Sequence, residues 1–387
     1  MKSYKFKLKP SPRIARTFEQ WLDICRELYN AGLQERRDAW AINQISINYH
    51  AQAVQLPQIK AIREDFAAVN AQVFQDTLRR LSKTFDAFFR RVKEGEKPGY
   101  PRFKSKYRFN SFTFPQAKGA FSIKGNRLYL SKIGHVKIIQ HRPIEGEIKT
   151  CTIKRETDGW YAVFAVEENQ SRFIPLTGES VGIDVGIESF ATLSTGEQIE
   201  NPRFLGDAER GLKTAQRRVS RGKQGSQRRR KAVRLLAKKH EKIKRQRADF
   251  HHKTALNIVR EFDAIAVEDL NIAGMVKNHH LAKSIVDVAW SAFFLILASK
   301  AANAGRKVLK VGPQFTSQNC SQCGARVRKI LAMREHRCVA CGFLAHRDHN
   351  AAINIKNRGG TVIRDGSGCV PVRTENLPVY EPEAVEL

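Results

Sequence analysis

The sharpest chemical signal in the sequence is a group of four cysteines between residues 320 and 341. They form two Cys-x-x-Cys pairs, Cys320 with Cys323 and Cys338 with Cys341, and 14 residues separate the pairs. Each pair lets two thiolates on one tight turn reach the same metal ion, and two such turns complete a tetrahedron. Because four sulfur ligands leave no open coordination position, the spacing predicts a structural zinc site. A redox-active pair is the alternative interpretation of either motif.

The other three cysteines, Cys25, Cys151 and Cys369, stand alone and show no ligand spacing. The opening segment MKSYKFKLKPSPR has no apolar stretch of the kind that a signal peptide needs. In a chain of 387 residues without such a signal, clustered cysteines favour metal binding over disulfides. The sequence therefore predicts a protein of the reducing cytoplasm.

A second signal is an aspartate inside VGIDVGIESFATLS, residues 181–194, which otherwise reads as a buried strand. Val181, Ile183 and Val185 alternate onto one face, and Asp184 shares the other face with two glycines. A carboxylate that faced an apolar layer would be protonated or excluded, so we expect Asp184 to face solvent, a basic partner or a metal. The glycines on its face would leave room for a ligand to approach closely.

Two further acids stand at the ends of apolar segments. Glu268 closes AIAVE, and Asp348 in AHRDHNAAINIK begins a predicted helix with an apolar inner face. Hard divalent cations prefer oxygen ligands, and a pair of them about 3.5–4 Å apart activates water and stabilises the leaving oxygen of a phosphodiester. The three carboxylates, Asp184, Glu268 and Asp348, therefore predict a Mg²⁺ or Mn²⁺ site. Asp269 is a rival to Glu268, since strand alternation lets only one of the two face the site.

The composition points to a polyanionic partner. The chain has 68 Lys and Arg residues against 38 Asp and Glu residues, a net charge of +30. Such an excess repels itself unless polyanions neutralise it, so the sequence predicts binding to nucleic acid. We expect no membrane partner, because no apolar run approaches the ~20 residues of a membrane span.

More than half of this excess lies between residues 201 and 260, which hold 20 Lys and Arg residues and four acids. Regularly placed apolar residues predict ordered helices over 208–260, broken at Gly222–Gly225, with a basic outer face. Such a face contacts phosphates without reading bases. Its predicted phosphate contacts are Arg228, Arg229, Arg230, Lys238 and Lys239.

A shorter segment, YPRFKSKYRF at 100–109, mixes aromatic and basic residues. This pattern is typical of surfaces that stack bases and contact phosphates, and its predicted contacts are Arg102 and Lys104. Its aromatic residues would equally suit a hydrophobic core. Beside Asp348, the side chains of His346, Arg347 and His349 could contact phosphate or could simply lie on the surface.

The hydrophobic pattern predicts a mixed α+β fold. Residues 1–10 alternate as a strand, 14–93 carry a helical apolar stripe, and strand-like segments fill 110–168. An economical arrangement joins the first strand to the later ones in a single β-barrel and makes the helical block an insertion. A third region of strands and helices begins near residue 178.

Taken in order, the motifs GIDVGIESFATLS, VEDLNIAGMVKNHHLAKSI, QFTSQNCSQCG, CVACG and HRDHNAAINI closely resemble those of the TnpB (OrfB) family of insertion-sequence proteins. The segments KFKLKPS and KPGYPRFKSK fit as well, so the resemblance covers about residues 1–357. Members of this family are RNA-guided DNA endonucleases and are related to type V CRISPR effectors.

The resemblance implies a RuvC-like, RNase H-type α/β nuclease domain with a zinc-ribbon insert, together with a wedge-like β-barrel interrupted by a helical recognition region. The implied segments are a wedge barrel at 1–13 and 99–176, a helical recognition insert at 14–98, the first part of the nuclease at 177–314, a zinc-binding insert for target nucleic acid at 315–345, the last part of the nuclease at 346–360 and a flexible tail at 361–387.

Carried over residue by residue, the catalytic triad of the family falls on Asp184, Glu268 and Asp348, and its zinc ligands fall on the four clustered cysteines. The implied partners are a guide RNA from the transposon end and double-stranded target DNA with a short adjacent motif. Base pairing would then carry the sequence specificity, and the protein would read the adjacent motif and the heteroduplex backbone. The implied location is the prokaryotic cytoplasm, at the nucleoid.

Two other functions fit the same residues. A guide-free resolvase or transposase would use the same three carboxylates to cut DNA without RNA. A non-enzymatic RNA-guided DNA-binding regulator would need the basic helices but not the acids.

Overall fold

The structure, a computed structural model, describes residues 1–167, 174–330 and 333–365, and for 361–365 the backbone alone. The described residues form two compact units, one ending before residue 168 and one beginning after residue 173. Of the expected tail, residues 366–387 lie outside the described residues, as does Cys369. Residues 361–365 are helical, so the last helix continues five residues beyond the expected boundary at 360.

The first unit is built on a seven-stranded sheet with antiparallel pairing. Its strands are β1 Lys2–Lys9, β2 Ser111–Phe114, β3 Phe121–Lys124, β4 Arg127–Leu130, β5 Gly134–Ile139, β6 Glu147–Glu156 and β7 Gly159–Glu167. Their order in the sheet is β2-β6-β7-β1-β5-β4-β3. The amino-terminal strand β1 therefore lies between strands that follow the helices in sequence, so the helices interrupt the strands of one sheet.

The predicted closure of this sheet into a barrel is wrong. Among the residues that the structure describes, β2 and β3 are the two edges of the sheet and form no ladder with each other. Side chains meet there instead of backbone groups, since the rings of Phe114 in β2 and Phe121 in β3 lie 6.4 Å apart. The sheet is thus curved over an aromatic core but remains open.

The inserted helices follow β1 directly. They are α1 Pro12–Asn43, α2 Tyr49–Val54, α3 Leu56–Ile62, α4 Glu64–Ala67 and α5 Ala71–Lys93. The hydroxyl of Ser11 accepts a hydrogen bond from the Ile14 backbone N–H, and Pro12 occupies the first turn, so α1 begins two residues before the predicted start. The buried rings of Phe18 and Trp21 on α1 pack against Phe112 of β2, which joins the helices to the sheet.

The second unit is built on a five-stranded mixed sheet. Its strands are β8 Ser180–Val185, β9 Ser189–Leu193, β10 Gln198–Glu200, β11 Ala264–Glu268 and β12 Lys307–Val311, in the order β10-β9-β8-β11-β12. The meander β8–β10 is antiparallel, whereas β8, β11 and β12 run parallel to one another. A separate two-stranded ladder pairs β13 Glu335–Arg337 with β14 Leu344–His346.

Helices cover both faces of this sheet. They are α6 Phe204–Ser220, α7 Gln227–Glu261, α8 Ile272–Met275, α9 His279–Val288, α10 Trp290–Asn303 and α11 Arg347–Asp365. Ile183 and Val267 of the sheet share one buried cluster with Ile258 of α7 and Phe293 of α10. Helix α11 packs on the opposite face, where Ile355 is fully buried.

The two basic helices form a hairpin of their own. Helix α6 ends at Ser220 and α7 begins at Gln227, so the predicted break around Gly222–Gly225 is confirmed. The Ser226 hydroxyl caps α7 by accepting a hydrogen bond from the Arg229 N–H at 3.1 Å. A small apolar seam between the helices orders them, and its buried members are Leu212, Ala215, Val219, Ala232, Leu236 and Ile243.

One segment, His279–Asn303, is long and apolar enough to span a membrane by length and composition, contrary to the expectation that no such run exists. In the structure this segment is two helices, α9 and α10, separated by Ala289 with φ 53° and ψ 50°. The side chains of Phe293 and Leu297 on α10 are fully buried against the sheet. These two side chains belong to the core of the second unit.

The contact between α11 and the sheet is made backbone to backbone. A Cβ placed on Gly182 of β8 would lie 2.1 Å from the carbonyl oxygen of Ala352, and one placed on Gly359 of α11 would lie 2.6 Å from the Cβ of Ala266. Real Cβ atoms do not approach other atoms so closely, so both positions require glycine. The space beside Asp184 that the sequence suggested for a ligand is therefore occupied at Gly182 by α11.

Adjacent glycines in α11 provide a test of this packing. We expect Gly359→Ala to destabilise the second unit by roughly 1–3 kcal/mol, because the new methyl group collides with Ala266 of β11. Gly360→Ala is the matched control, since a Cβ there has no atom within 4 Å, and it should stabilise the helix by up to about 1 kcal/mol. Urea unfolding of the two variants should give changes of opposite sign; equal changes would contradict the packing.

Candidate active site and metal centre

Two acids are adjacent because their strands are parallel neighbours. The register pairs Ile183 of β8 with Val267 of β11, so Asp184 and Glu268 follow side by side at the carboxyl ends of these strands. Since Ile183 and Val267 face the core that includes α7 and α10, alternation turns both carboxylates to the opposite face. That face is the one that α11 covers.

The third acid, Asp348, lies in the first turn of α11. Burial raises the pKa of Asp184 well above its usual value, and the negative charges of Glu268 and Asp348 raise it further, while Arg347 lowers it. The charges of Glu268 and Asp348 therefore act on Asp184, with burial as the larger cause of the shift. The structure thus brings together three acids that are 84 and 80 residues apart in sequence.

Glu268, and not Asp269, faces this group. One Glu268 carboxylate oxygen accepts a hydrogen bond from the Thr316 hydroxyl at 2.5 Å, and the residue is only 9% exposed. Burial raises the pKa of Glu268, and the Thr316 hydrogen bond and the Arg358 charge oppose that rise. The side chain of Asp269 points outward and pairs with Lys310 at 2.9 Å. Strand alternation has the predicted consequence that only one of the two acids enters the site.

Basic side chains surround Asp348. The Arg347 Nε donates a hydrogen bond to the Asp348 carboxylate at 3.2 Å, and an Arg334 guanidinium nitrogen lies 4.0 Å from the same carboxylate. Arg334 also pairs with Glu188 in the loop between β8 and β9 at 2.6 Å. His346 lies 4.0 Å from Asp348 and is partly exposed, whereas the ring of His349 contacts the Ser194 carbonyl oxygen at 3.2 Å. Arg347 and Arg334 therefore place positive charge beside Asp348.

The carboxylate group has the chemistry that a hard divalent cation requires. It offers oxygen ligands from two strand ends and one helix, and burial, together with repulsion from Glu268 and Asp348, raises the pKa of Asp184. A bound cation would relieve that repulsion. The three carboxylates are more loosely grouped than the cysteines, whose sulfur atoms all lie within 4.8 Å of one another. The residues fit Mg²⁺ or Mn²⁺.

The four cysteines meet at one point. The sulfur atoms of Cys320 and Cys341 lie 3.7 Å apart, and those of Cys323 and Cys338 lie 3.5 Å apart. A regular tetrahedron with zinc–sulfur bonds of about 2.3 Å has edges of about 3.8 Å, whereas a disulfide would need about 2.05 Å. The sulfur positions therefore fit a four-thiolate metal site and not a disulfide.

Each pair of cysteines sits on the same type of turn. The Cys320 N–H donates to the Ala325 carbonyl oxygen and the Gly324 N–H donates to the Cys320 carbonyl oxygen, both at 2.9 Å. Cys338 makes the equivalent bonds with Phe343 and Gly342 at 2.8 and 2.9 Å. The glycine after each pair has φ near +76°, with values of 77° and 75° for Gly324 and Gly342, which other residues rarely adopt. The backbone N–H of Cys341 helps to lower the pKa of Cys338 to about 6, whereas the neighbouring thiols help to raise the pKa of Cys341 to about 12, so the sulfur atoms titrate as one group.

A ladder of polar side chains on α11 joins the cysteine site to the acids. Asn350, Asn354 and Arg358 are four residues apart and share one face of the helix. Asn350 accepts from the Ser321 N–H and donates to the Asn319 carbonyl oxygen, at 2.9 and 2.8 Å. Sequence analysis missed these residues, although their four-residue spacing after Asp348 was a visible signal.

The other two side chains of this ladder, Asn354 and Arg358, bind residues 312–319, the segment that leads into the first cysteine turn. The Asn354 amide donates to the carbonyl oxygens of Thr316 and Asn319 at 2.8 and 2.7 Å. Arg358 donates to the carbonyl oxygens of Gly312 and Gln314 at 2.6 and 2.8 Å. Because Thr316 itself binds Glu268, this segment connects the cysteine site, α11 and a catalytic candidate in one network.

The predicted phosphate contacts of α7 divide into two groups. Arg228, Arg230 and Lys238 are exposed. The stem of Arg229 packs on Gly222, and the Lys239 ammonium lies 3.1 Å from where a Cβ of Gly211 in α6 would be, so both are half-buried. Of the five predicted contacts, the exposed Arg228, Arg230 and Lys238 are therefore best placed to contact a ligand.

In the first unit, the two predicted contacts differ in the same way. Arg102 is exposed, whereas the backbone of Lys104 is fixed by two hydrogen bonds with the Asn30 side chain at 2.8 and 3.0 Å. Within the same segment Phe109 is buried and Tyr107 is 82% exposed. The segment thus serves the core and presents an aromatic and basic surface as well.

Three family models match successive parts of the chain. Residues 163–279 match a model described as "Probable transposase" (OrfB_IS605), and residues 290–355 match "Cas12f1-like, TNB domain". Residues 1–44 match a model described as "Helix-turn-helix domain" (HTH_OrfB_IS605), although the structure places β1 and the single helix α1 there. The second match contains the four cysteines and Asp348.

Similar proteins span nearly the whole chain. A "Putative RNA-guided DNA endonuclease" from Streptomyces pristinaespiralis is 34% identical over 379 residues, which cover 96% of this chain and 92% of that protein. "Putative RNA-guided DNA endonuclease InsQ" from Escherichia coli K12 is 27% identical over 95% of this chain and 94% of its own length. The "CRISPR-associated endodeoxyribonuclease Cas12f1" of Sulfoacidibacillus thermotolerans is 25% identical over 80% of each chain.

Solved structures show the same fold at lower identity. A chain in the "Cas12f1-sgRNA-target DNA complex" matches with a TM-score of 0.59 and 16% identity, covering 90% of this chain and 83% of that chain. The "mini-RNA-guided endonuclease CRISPR-Cas_phi3" matches with a TM-score of 0.51 and 9% identity, covering 92% of each chain. With motifs, family models and a 34% identical relative of matching length in agreement, the chain belongs to the TnpB (OrfB) family of insertion-sequence RNA-guided DNA endonucleases, which is related to the type V CRISPR effectors.

Proposed function

We propose that the protein is a transposon-associated, RNA-guided DNA endonuclease that hydrolyses phosphodiesters at Asp184, Glu268 and Asp348. The observation that carries this proposal is the convergence of the three carboxylates on the α11 face of the mixed sheet, with Arg347 beside them. Relatives named as RNA-guided DNA endonucleases cover almost the whole chain, which supports the reaction and its guidance by RNA.

The domain that performs the reaction is, in this proposal, RuvC-like and of the RNase H type. Its support is the topology of the second unit, in which an antiparallel three-stranded meander is extended by two parallel strands. In this topology Asp184 at the end of β8 and Glu268 at the end of β11 lie side by side. The segment at 315–345 would be the zinc-binding insert for target nucleic acid of this domain.

The metal ligands of the proposed site are the three carboxylates, for Mg²⁺ or Mn²⁺, and the four cysteines, for a structural zinc. Bound divalent cations at such a site supply an activated water and stabilise the leaving oxygen of the phosphodiester. The protein's own part is positional. Thr316 fixes the orientation of Glu268, α11 fixes Asp348 in its first turn, and Arg347 lies where it meets the phosphate charge.

The proposed partners are a guide RNA from the transposon end and a double-stranded target with a short adjacent motif, bound in a prokaryotic cell. The basic helices α6 and α7 are suited to contact phosphates of the guide or the heteroduplex, because their charge lies on exposed side chains. Arg102 and Lys104 are proposed to contact nucleic acid from the first unit.

The test of the proposed reaction is Asp184→Asn, which keeps the shape of the side chain and removes its charge. We expect cleavage of guided target DNA to fall by at least about a thousandfold, with binding of the co-purified RNA unchanged. Asp269→Asn is the matched control, since Asp269 is the neighbouring acid that faces away from the site toward Lys310. It should cut normally.

Three results would contradict the proposal in different ways. Undiminished cleavage by Asp184→Asn would exclude the carboxylate assignment. Cleavage of DNA by the wild type in the absence of any RNA would favour the guide-free resolvase or transposase. Guided binding by the wild type without metal-dependent products would favour the regulator.

Removal of zinc should loosen the network around Glu268. Because a four-thiolate zinc stabilises small zinc domains by on the order of 10 kcal/mol, we expect a zinc chelator to abolish hydrogen-exchange protection at Gly324 and Gly342. Protection should also fall at Asn319, whose N–H donates to the Phe315 carbonyl oxygen and whose own carbonyl oxygen is held by the ladder on α11. The sheet of the first unit is the internal control and should keep its protection. Metal analysis should find one zinc per chain, and unchanged exchange after its removal would contradict the site.

The salt dependence of binding to duplex DNA tests the basic face of α7. Replacing Arg228, Arg230 and Lys238 by Gln should lower the slope of log affinity against log salt by about 0.9 per lost duplex contact, or by about 2.7 in total. The matched control replaces the half-buried Arg229 and Lys239, and it should lower the slope by less than one contact each. An unchanged slope in the first variant would mean that this face is only solvated.

A further inference from the structure

An aromatic residue next to the carboxylate site has an unusual backbone. Among the described residues, five other than glycine have positive φ, and Phe315, with φ 59°, is the aromatic one. A bulky side chain rarely adopts this left-handed conformation, and such outliers persist where the surroundings hold them, often at functional sites. Here the Phe315 carbonyl oxygen accepts hydrogen bonds from the N–H groups of Gln318 and Asn319, at 3.0 and 2.9 Å.

The same turn fixes Phe315 relative to the acids. The next residue, Thr316, donates its hydroxyl to Glu268 at 2.5 Å, and its carbonyl oxygen accepts from Asn354 of α11 at 2.8 Å. Phe315 is therefore the residue next to Thr316, which directly contacts the proposed metal ligand Glu268. The backbone of Phe315 cannot shift without moving Thr316.

The ring is partly exposed and lies beside a cationic side chain. Phe315 is 46% exposed, so burial in a hydrophobic core does not explain its presence. The Arg326 guanidinium lies 3.7 Å from the ring centroid, and its Nε donates to the Gln318 side chain at 3.0 Å. The two planar groups form one stacked unit, which we call the Phe315–Arg326 platform.

We propose that the Phe315–Arg326 platform stacks an unpaired base of the DNA strand that the neighbouring carboxylates cut. Aromatic rings and Arg planes are the surfaces on which single-stranded nucleic acids stack their bases, with little dependence on sequence. A base inside a duplex has no free face to offer, so the platform selects an unpaired strand. The inference rests on the proposed function and specifies how the substrate strand is held beside Glu268.

Two substitutions separate the ring from the backbone. Phe315→Gly removes the ring and suits a φ of 59°, so the melting temperature should not fall. Phe315→Trp keeps a stacking surface. The probe is a single-stranded DNA of the guided target sequence with 2-aminopurine at successive positions around the cut, bound to the protein–RNA complex in Ca²⁺.

We expect 2-aminopurine fluorescence to be quenched at one position next to the cut in the wild type and in Phe315→Trp, and to recover in Phe315→Gly. The affinity of Phe315→Gly for this strand should fall by about tenfold, in line with the loss of one stacked base. With Mg²⁺, its KM for the single strand should rise by a similar factor, while RNA binding stays unchanged.

Quenching and affinity that are identical in Phe315→Gly and the wild type would overturn the platform, as would a loss that Phe315→Trp does not restore. A loss of affinity for a duplex of the same sequence, equal to that for the single strand, would also overturn it. If the wild type does not cut at all, the proposed function fails. The fluorescence comparison still decides whether Phe315 stacks a base.

Discussion

The site depends on one close contact, the packing of α11 directly on the backbone of β8 and β11. Gly182 and Gly359 allow it, because a methyl group at either position would lie within 2.6 Å of an atom of the opposing element. At this separation, Asp348 in the first turn of α11 reaches the electrostatic field of Asp184. A helix held off by ordinary side chains would place Asp348 farther from Asp184 and Glu268.

The same helix explains why a structural metal site lies beside a catalytic candidate. One face of α11 packs on the sheet, and a second face, with Asn350, Asn354 and Arg358, binds the segment that enters the first cysteine turn. Thr316 in that segment supplies the hydroxyl that orients Glu268. The order of the cysteine turns and the orientation of Glu268 are therefore linked through hydrogen bonds to backbone carbonyl oxygens.

Sequence reasoning succeeded where the signal was local. The cysteine spacing led to one tetrahedral group, the break in the basic helices fell where the glycines stand, and the inward face of α11 carries Ala351, Ala352 and Ile355 as the pattern required. It failed where contacts between segments that are distant in sequence decide the structure. Closure of the first sheet depends on whether β2 and β3 pair, and the conformation of Phe315 depends on a turn held by α11. Alternation showed that one of Glu268 and Asp269 enters the site, but only the contacts with Thr316 and Lys310 show which one.

Two features of the site cost folding free energy, and their location explains why the folded state tolerates them. Asp184 carries a carboxyl group whose pKa is raised by burial and by two neighbouring acids, and Phe315 has a left-handed backbone. Both are adjacent to Glu268 or its partner Thr316, where the glycine contacts and the ladder on α11 leave little freedom to relax. A site prepared for a cation and a stacked base would hold such unfavourable groups in rigid surroundings. A bound cation would relieve the repulsion at Asp184, and a bound base would use the fixed position of Phe315.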